Sequence, residues 1–424
     1  MNIRDILLKQ KKELTQIRQK RYIKREAVIP EMEKTIIKVI SGPRRAGKSF
    51  FAIHELACAR QGKRSAGYVN FDDENIVNAE NYDEIIEAVK SLYNNTKTIF
   101  FDEIQNLSRW ELFVNRLQRQ GYNLILSGSN ANLLSSELST HLTGRHLATL
   151  IFPFSFKEYL KFSEGELTET EIKARLDDYI IEGGYPEHLV EKIDGKKYLA
   201  TLFDSVIYKD IIKRHNPGYP KEMESLANYL ISNFGTKIAY KNLIDSAGIG
   251  SEHTVKKYIG YLEEAFLIFQ VKSFSFKVRQ QERANKKIYV TDNGLINAKA
   301  FSFSSNTGRL YENAVAVELK KREFAGELEL YYYGNKYEVD FVVKKNTEIR
   351  SLIQVSIDFT GKDTKEREMR GLLHASQELN CSNLAVITGG YRGEEKIKWF
   401  GKEAIVKFIP VWQWLLSPEK FSLI

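Results

Sequence analysis

The sequence has little cysteine, little proline and no long apolar run. Its 424 residues include two cysteines, Cys58 and Cys381, which lie far apart and match neither a zinc-ligand spacing nor a disulfide framework. Eight prolines are too few for long disordered linkers. No segment approaches the roughly 20 apolar residues of a membrane span, and charges interrupt the amino-terminal segment where a secretion signal has its apolar core. We therefore expect a cytoplasmic protein without a membrane partner.

Positive charge is concentrated at the amino end. The net charge is +8, and residues 1–30 carry nine Lys or Arg against three Asp or Glu. One interpretation is an amphipathic helix with Ile6, Leu7, Leu14 and Ile17 on its buried side. The other is a basic arm that binds phosphate backbones. A chain of this length also exceeds one ordinary hydrophobic core, so we expect several domains.

Strand and helix patterns alternate after this basic segment. Apolar runs at 35–40, 66–71, 98–101 and 123–126 predict four buried strands, and helical patterns such as 110–118 separate them. Strands that alternate with helices form a parallel sheet, because each crossover helix returns the chain to the same edge. The sequence therefore predicts a doubly wound α/β domain.

A glycine-rich loop follows the first predicted strand and precedes a helix. It matches the pattern G-x-x-x-x-G-K-S in full, and its backbone N–H groups would face the phosphates of a nucleotide. In such a loop Lys48 reaches the β and γ phosphates, and Ser49 ligates Mg²⁺. We expect ATP and Mg²⁺ here. The predicted nucleotide-binding residues are Gly42, Pro43, Arg44, Arg45, Ala46, Gly47, Lys48, Ser49 and Phe50.

Polar residues also follow the third and fourth predicted strands. Asp102 would hold Mg²⁺, and Glu103 would polarise the attacking water as general base. Ser129 or Asn130 is placed to contact the γ-phosphate, with an ordinary turn as the alternative. Arg145 is a candidate for stabilising transition-state charge, in its own site or in that of a neighbouring subunit, with a surface arginine as the alternative.

Together these motifs resemble those of prokaryotic AAA-type ATPases that carry a carboxyl-terminal domain of unknown function. The resemblance covers nearly the whole chain and implies ATP binding. By the same family analogy we expect a homo-oligomer, since AAA-type sites often lie between subunits. The residues that carry it are GPRRAGKS in the loop, Phe71–Asp73, Phe101–Gln105, Ser127–Ser129, Leu142–Arg145, Phe152–Tyr159 and Glu182–Pro186.

The remaining chain divides by pattern. A helix from Ser251 to about residue 265, after a turn at 247–250 and before two β-like stretches, resembles a winged helix-turn-helix. Its His253, Lys256 and Lys257 are candidates for DNA contacts, with a packing role as the alternative. The expected divisions are a basic helix at 1–30, an AAA-type P-loop domain at 31–160, a helical region at 161–235, a winged-helix-like unit at 236–300 and a restriction-endonuclease-like α/β domain at 301–424.

Three residues of the last region resemble a nuclease centre. Glu312 lies on a predicted helix, Asp340 on a strand after a hairpin turn, and Gln354 on the next strand. Such nucleases place a carboxylate where Gln354 stands and a lysine where Ser356 stands, so the site is expected to be degenerate. A nucleic-acid-binding or scaffold domain, an active nuclease and an unrelated α/β fold all remain open.

The combined expectation is an ATPase that couples nucleotide state to binding of DNA or RNA. Two alternatives remain open: a signalling or regulatory ATPase that acts on protein partners, and an ATP-dependent nuclease.

Overall fold

The chain forms two compact units, Met1–Phe152 and Pro153–Ile424, which are described separately below. No helix among the described residues is long and apolar enough to cross a bilayer. The computed structural model describes residues 2–30, 36–58, 66–129, 145–163, 165–300, 307–334, 336–358, 362–399, 401–421 and 423–424.

Unit 1 begins with a capped amphipathic helix, α1, at Ile3–Gln19. The Asn2 side chain accepts a hydrogen bond from the backbone N–H of Arg4 and so satisfies a free donor at the helix start. Ile6, Leu7 and Leu14 are buried in the core of this unit. The amphipathic-helix interpretation is therefore confirmed for Ile3–Gln19, and Arg4, Lys9, Lys12 and Arg18 of this helix are exposed.

One side chain of α1 completes the edge of the sheet. The Gln10 amide donates to the backbone carbonyl of Asn70 at 3.1 Å, and its oxygen accepts from the Asn70 backbone N–H at 2.9 Å. Gln10 thereby replaces the missing strand beside the last residue of an edge strand. Such a cover protects a sheet edge from pairing with another chain.

The sheet of unit 1 is parallel throughout and runs in the order β2-β3-β4-β1-β5. Because β1, β3 and β4 are neighbours, the loops after their carboxyl ends meet at one edge, where ligands bind in such folds. Strand β5 was not predicted; its residues are mostly half-exposed or exposed, so its sequence has no continuous apolar run. The strands are β1 Ile37–Ser41, β2 Gly67–Asn70, β3 Thr98–Asp102, β4 Asn123–Gly128 and β5 His146–Leu150, and the helices after α1 are α2 Lys48–Cys58, α3 Glu74–Val77, α4 Tyr82–Leu92 and α5 Trp110–Arg119.

Unit 2 starts with a helical region, as the sequence predicted. A π-helical stretch at Val206–Ile212 continues one of these helices without a break. The helices are α6 Phe156–Tyr159, α7 Glu169–Glu182, α8 Pro186–Glu191, α9 Gly195–Ser205, α10 Lys213–His215 and α11 Pro220–Ser232.

A mixed sheet of nine strands, counted over the described residues, forms the rest of unit 2. Its order is β13-β14-β12-β11-β10-β9-β7-β8-β6, and β7 pairs with β9 in parallel, so the middle and final regions share one sheet. The strands are β6 Thr236–Ile238, β7 Ile268–Ser273, β8 Lys286–Val290, β9 Glu329–Gly334, β10 Glu338–Lys345, β11 Glu348–Ser356, β12 Leu384–Thr388, β13 Gly393–Trp399 and β14 Lys402–Pro410. The helices are α12 Tyr240–Ala247, α13 Glu252–Glu264, α14 Val278–Arg283, α15 Asn293–Lys299, α16 Thr307–Phe324, α17 Lys362–Glu378 and α18 Val411–Leu416.

A buried carboxylate explains the double glycine of the Glu182–Pro186 motif. Asp292 accepts hydrogen bonds from the backbone N–H of Gly184 at 2.7 Å and of Gly294 at 2.9 Å. The Gly184 carbonyl in turn accepts from the backbone N–H of Phe154 at 2.7 Å. Burial raises the pKa of Asp292 to about 7, against these hydrogen bonds, which lower it. The glycines of the motif therefore let the backbone pack closely around the Asp292 side chain.

Replacing Gly183 by alanine is expected to destabilise unit 2. A Cβ there would lie 2.1 Å from a carboxylate oxygen of Asp292, and the backbone has φ +76° and ψ −168°, a region that glycine alone adopts readily. Gly248→Ala is the matched control, because Gly248 has φ +69° and open space around it. We expect Gly183→Ala to lower the free energy of unfolding by at least about 2 kcal/mol more than Gly248→Ala, measured by urea unfolding. Equal losses in the two variants would contradict this account.

Candidate functional site

The phosphate loop connects β1 to α2 and bends through unusual backbone angles. Gly42 has φ +148° and Gly47 has φ +92°, whereas Arg45 between them has φ +64°. A Cβ at Gly42 would lie 2.0 Å from the carbonyl oxygen of Ile151, so a side chain has no room there. The glycine pattern therefore has two causes in this chain: the turn itself and the close approach of the segment that follows β5.

The Lys48 ammonium lies inside the curve of this loop. It donates to the carbonyl oxygens of Gly42 at 3.0 Å and of Pro43 at 2.9 Å, and the residue is only 4% exposed. A buried ammonium beside backbone N–H groups and the start of a helix forms a strongly positive pocket. This position suits the β and γ phosphates of a nucleotide.

Asp102 lies next to the loop, at the end of β3. Its carboxylate accepts hydrogen bonds from Ser49 Oγ at 2.9 Å, from Tyr68 OH at 3.2 Å and from Ser127 Oγ. Burial, and then the charge of Glu103, raises the pKa of Asp102 to about 6, although the Ser127 and Ser49 hydroxyls and the Lys48 charge lower it. Asp102 therefore lies at the same edge of the sheet as the phosphate loop.

The donor set around Asp102 fits a magnesium ion. The Ser49 hydroxyl and the Asp102 carboxylate provide two adjacent hard oxygen atoms, and phosphates and water usually supply the other ligands of Mg²⁺. A nearby cation would also stabilise the ionised form of a carboxylate that burial destabilises. The residues present therefore fit the predicted metal.

Glu103 has a strained backbone and an oriented side chain. Its φ is +52°, a left-handed conformation that costs a non-glycine residue roughly 1 kcal/mol and is concentrated at functional sites. Its backbone N–H donates to Ser127 Oγ at 3.2 Å. Its carboxylate accepts from Ser129 Oγ at 3.3 Å and from Gln105 Nε2 at 2.5 Å. The role of Gln105 was not predicted, although the residue belongs to the motif that carries the resemblance.

The other predicted residues of this site have separate outcomes. Asn130 lies outside the described residues. Arg45 is exposed, Arg44 is half-buried, and the ring of Phe50 stacks on His54 with centroids 5.6 Å apart. The predicted residues that the structure brings together are Gly42, Pro43, Lys48, Ser49, Asp102, Glu103 and Ser129.

Arg145 lies at the opposite end of the sheet from the phosphate loop. Its carbonyl oxygen accepts from the backbone N–H of Ile37, the first residue of β1, whereas the loop follows the last residue of β1. The five residues of β1 separate the two ends by about 16 Å, at roughly 3.3 Å per residue. Arg145 therefore does not contact the site of its own chain in this conformation, which corrects the prediction of a role within one subunit. Its role at a neighbouring subunit stays a prediction.

Sequence reasoning missed Arg25, which contacts the loop from the segment after α1. Its guanidinium is buried, donates to the Ala46 carbonyl at 3.0 Å and also donates to the Phe152 carbonyl. One always-charged group thus holds the phosphate loop beside the last residue of unit 1. Several basic residues surround Arg25 in the sequence, so the sequence has no signal that separates it from them.

The three predicted residues of the carboxyl-terminal region do meet, around an unpredicted lysine. The Asp340 backbone N–H donates to Gln354 Oε1 at 3.2 Å. The Lys287 ammonium, on β8, lies 2.9 Å from Asp340 Oδ1, 3.1 Å from Glu312 Oε1 and 2.7 Å from Glu338 Oε1. We call Lys287, Glu312, Glu338, Asp340 and Gln354 the lysine–carboxylate cluster.

One ammonium, that of Lys287, faces three carboxylates in this cluster and offsets only part of their charge. Burial alone would lower the pKa of Lys287, but the negative charges of Asp340 and its neighbours outweigh it and raise that pKa. Burial, and then the charge of Asp340, raises the pKa of Glu312 to about 7. Over the residues that the structure describes, no group of three or more His, Cys, Asp or Glu side chains is arranged to hold a metal ion. Lys320, which pairs with Glu323 at 2.6 Å, takes no part.

Fold and site together define a P-loop ATPase of the AAA type. A model of the AAA domain matches residues 34–160. Residues 173–306 match a domain of unknown function, DUF8612, and residues 307–414 match another, DUF4143. The AAA assignment agrees with the resemblance, whereas the restriction-endonuclease-like nature of the last region receives no support from these matches.

The chain belongs to one family with the uncharacterized protein MJ1544 of Methanocaldococcus jannaschii. The two are 36% identical over 401 residues, which cover 90% of this chain and 88% of that protein. An uncharacterized protein of Haemophilus influenzae is 30% identical over 410 residues, covering 92% of this chain and 97% of that protein. Among solved structures, the replication initiator DnaA bound to AMPPCP and single-stranded DNA is 18% identical, with a TM-score of 0.29 over 54% of this chain and 82% of that chain.

Proposed function

We propose that this chain binds ATP and Mg²⁺ in unit 1, hydrolyses the ATP with Glu103 as general base, and couples its nucleotide state to the binding of nucleic acid. One observation carries the catalytic part. The Ser49–Asp102 contact of 2.9 Å and the Glu103–Ser129 contact of 3.3 Å lie at the sheet edge that also holds the phosphate loop. These contacts support a metal-binding role for Ser49 and Asp102 and a general-base role for Glu103 beside the phosphate pocket.

Each residue has a defined task in this proposal. Lys48 and the loop N–H groups bind the β and γ phosphates, and Ser49 with Asp102 would hold Mg²⁺, which offsets charge on the phosphate oxygens. The Glu103 carboxylate accepts a proton from water while the water oxygen bonds to the γ-phosphorus and the bond to the β-γ bridging oxygen breaks. Ser129 and Gln105 orient that carboxylate through the hydrogen bonds described above.

The order of elements in unit 2 supports the nucleic-acid part. The elements follow in the order α11, β6, α12, α13, β7 and β8, with the short helix α14 between the last two strands, and β8 pairs with both β6 and β7. This is the order of a winged helix-turn-helix, in which the helix equivalent to α13 meets nucleic acid. His253, Lys256 and Lys257 of α13 are exposed.

ATP turnover measured with and without duplex DNA, single-stranded DNA and RNA tests the proposal. We expect at least one nucleic acid to change the turnover rate and to bind at low salt, with Lys48→Ala as the inactive control. If turnover persists but no nucleic acid binds or stimulates, the coupling is wrong and the hydrolysis stands. A regulatory ATPase acting on protein partners is then the better description.

The lysine–carboxylate cluster favours a second candidate function, an ATP-dependent nuclease. The sequence lacks a lysine at Ser356, but the Lys287 ammonium reaches Asp340 and Glu312 from another strand. A lysine beside two acids is the group that stabilises an attacking hydroxide in such enzymes. The neutral Gln354, which stands where such enzymes place a carboxylate, favours the degenerate alternative.

The nuclease candidate predicts Mg²⁺-dependent cleavage that depends on this cluster. Asp340→Ala and Lys287→Arg should each lower cleavage by at least about a hundredfold, measured on labelled DNA and RNA. Lys287→Arg keeps the charge, so it separates a catalytic loss from unfolding. Lys320→Met is the control for a lysine outside the cluster. If cleavage survives both Asp340→Ala and Glu312→Ala, the cluster is not the site of cleavage. If the wild-type chain cleaves no nucleic acid, the last region is a degenerate domain without nuclease activity.

A further inference from the structure

The connection between β7 and β8 exposes two large apolar side chains. We call this connection, Phe274–Asn285, the wing segment. Phe276 is 73% exposed and Val278 is 72% exposed, values above those of the other exposed large apolar residues described in the chain. Isolated exposed apolar residues are common, whereas two exposed apolar side chains close together on one connection form a small apolar patch that is available for contact.

The wing segment is held in one conformation by local contacts. Ser275 Oγ accepts from the backbone N–H of Lys277 at 3.1 Å and donates to Gln280 Oε1 at 3.1 Å. The ring of Phe276 meets Phe274 edge-on with centroids 5.2 Å apart. Glu282 pairs with Lys272 of β7 at 2.6 Å. A surface fixed in this way loses little conformational entropy when it binds a partner.

The free charges of the wing segment are positive. Lys277, Arg279 and Arg283 are exposed, and none of them has a carboxylate partner in the described part of the chain. The acid of the segment, Glu282, is used by Lys272. Three unneutralised cations on a segment that also exposes an aromatic ring form a surface that attracts a polyanion.

This surface continues onto helix α13. The ammonium groups of Lys256 on α13 and of Lys286, just after the wing segment, lie 5.0 and 5.9 Å from the centre of the same ring, that of Tyr240. The base of the wing segment and the exposed face of α13 therefore adjoin. Lys257 and His253 extend the same helix face with exposed side chains.

We propose that the wing segment, together with the exposed face of α13, is a nucleic-acid interface. Lys277, Arg279 and Arg283 contact phosphodiester oxygens, and the Phe276 ring packs against a base or sugar. The inference rests on the proposed coupling to nucleic acid and names the surface that performs it. A protein partner fits less well, because two apolar residues are too few for the apolar centre of a stable protein interface.

Fluorescence anisotropy of the full chain with labelled duplex DNA, single-stranded DNA and single-stranded RNA tests this surface. In the double variant Arg279→Gln/Arg283→Gln, we expect at least about tenfold weaker binding. The slope of log K against log salt concentration, measured between about 50 and about 200 mM salt, should also become shallower by about 0.7–0.9 for each lost phosphate contact. Phe276→Ala should weaken single-strand binding most, since stacking contributes there. The duplex and single-strand arms identify the form of nucleic acid that binds.

Controls separate the failure of this surface from the failure of the proposed function. Arg392→Gln/Lys196→Gln removes two exposed positive charges elsewhere in unit 2 and should bind like the wild type. Basal ATP turnover should be unchanged in all variants, because none of these residues lies in the phosphate site. Wild-type binding that the wing variants retain would overturn the wing interface and leave the coupling intact. A wild-type chain that binds none of the three nucleic acids would overturn both.

Discussion

Glu103→Gln is expected to abolish ATP turnover while nucleotide binding persists. Glutamine keeps the size of the side chain and can still hydrogen-bond to Ser129, but it cannot accept a proton from water. Loss of a general base costs roughly 10²–10⁴-fold in rate, so the turnover number should fall by that factor. The measurement is steady-state phosphate release beside equilibrium binding of a fluorescent ATP analogue.

A matched substitution shows whether the effect is local. Glu87→Gln on α4 removes an exposed carboxylate of the same unit and should leave turnover unchanged. Gln105→Ala and Ser129→Ala release the Glu103 carboxylate without removing it, and we expect smaller losses from each. Normal turnover in Glu103→Gln would refute the general-base assignment and leave the binding site intact.

Lys48→Ala is expected to remove most of the affinity for ATP. Its buried ammonium lies inside the curve of the phosphate loop, 3.0 Å from the Gly42 carbonyl. Hydrogen bonds to charged groups contribute about 1.5–3 kcal/mol each, so the loss of two such bonds to phosphate weakens binding by at least about a hundredfold. Isothermal titration with ATP and Mg²⁺ measures the change.

Lys38→Met provides the control for burial. Lys38 is also 4% exposed, but its ammonium donates to Asn123 Oδ1 at 2.6 Å, on the neighbouring strand β4, and not to the phosphate loop. If weak ATP binding in Lys48→Ala came from disturbed folding, then Lys38→Met would show it too, together with a lower midpoint of thermal unfolding. ATP affinity in Lys48→Ala equal to that of the wild type would contradict the phosphate site.

The amino-acid sequence determined the elements whose parts are close together along the chain. The loop Gly42–Ser49 needs only a strand before it, glycines within it and a helix after it, and all three are local patterns. Asp102 and Glu103 were also found from a local pattern. They come at the carboxyl end of an apolar run that predicts a strand, and the carboxyl ends of such strands lie at the ligand-binding edge of the sheet. The prediction that these acids lie beside the loop required one further rule, that neighbouring parallel strands end at one edge.

Only the tertiary structure decided the contacts between distant segments. Strand pairing placed Arg145 at the amino end of β1, away from the phosphates, although the sequence made it a candidate for stabilising transition-state charge. Arg25 became a contact of the phosphate loop because the segment after α1 returns to Ala46, and no local pattern marks that path.

The lysine–carboxylate cluster illustrates the same limit. Glu312, Asp340 and Gln354 were predicted from a resemblance to the centre of restriction-endonuclease-like nucleases. Lys287 comes from β8, and the sequence region that contains it was interpreted as part of a different domain. A single sheet joins β8 through β7 to β9 and β10, so the lysine reaches acids that are 25 and more residues away. Local propensity determined which segments are strands, whereas strand register and order, set by packing of the whole chain, determined which side chains meet.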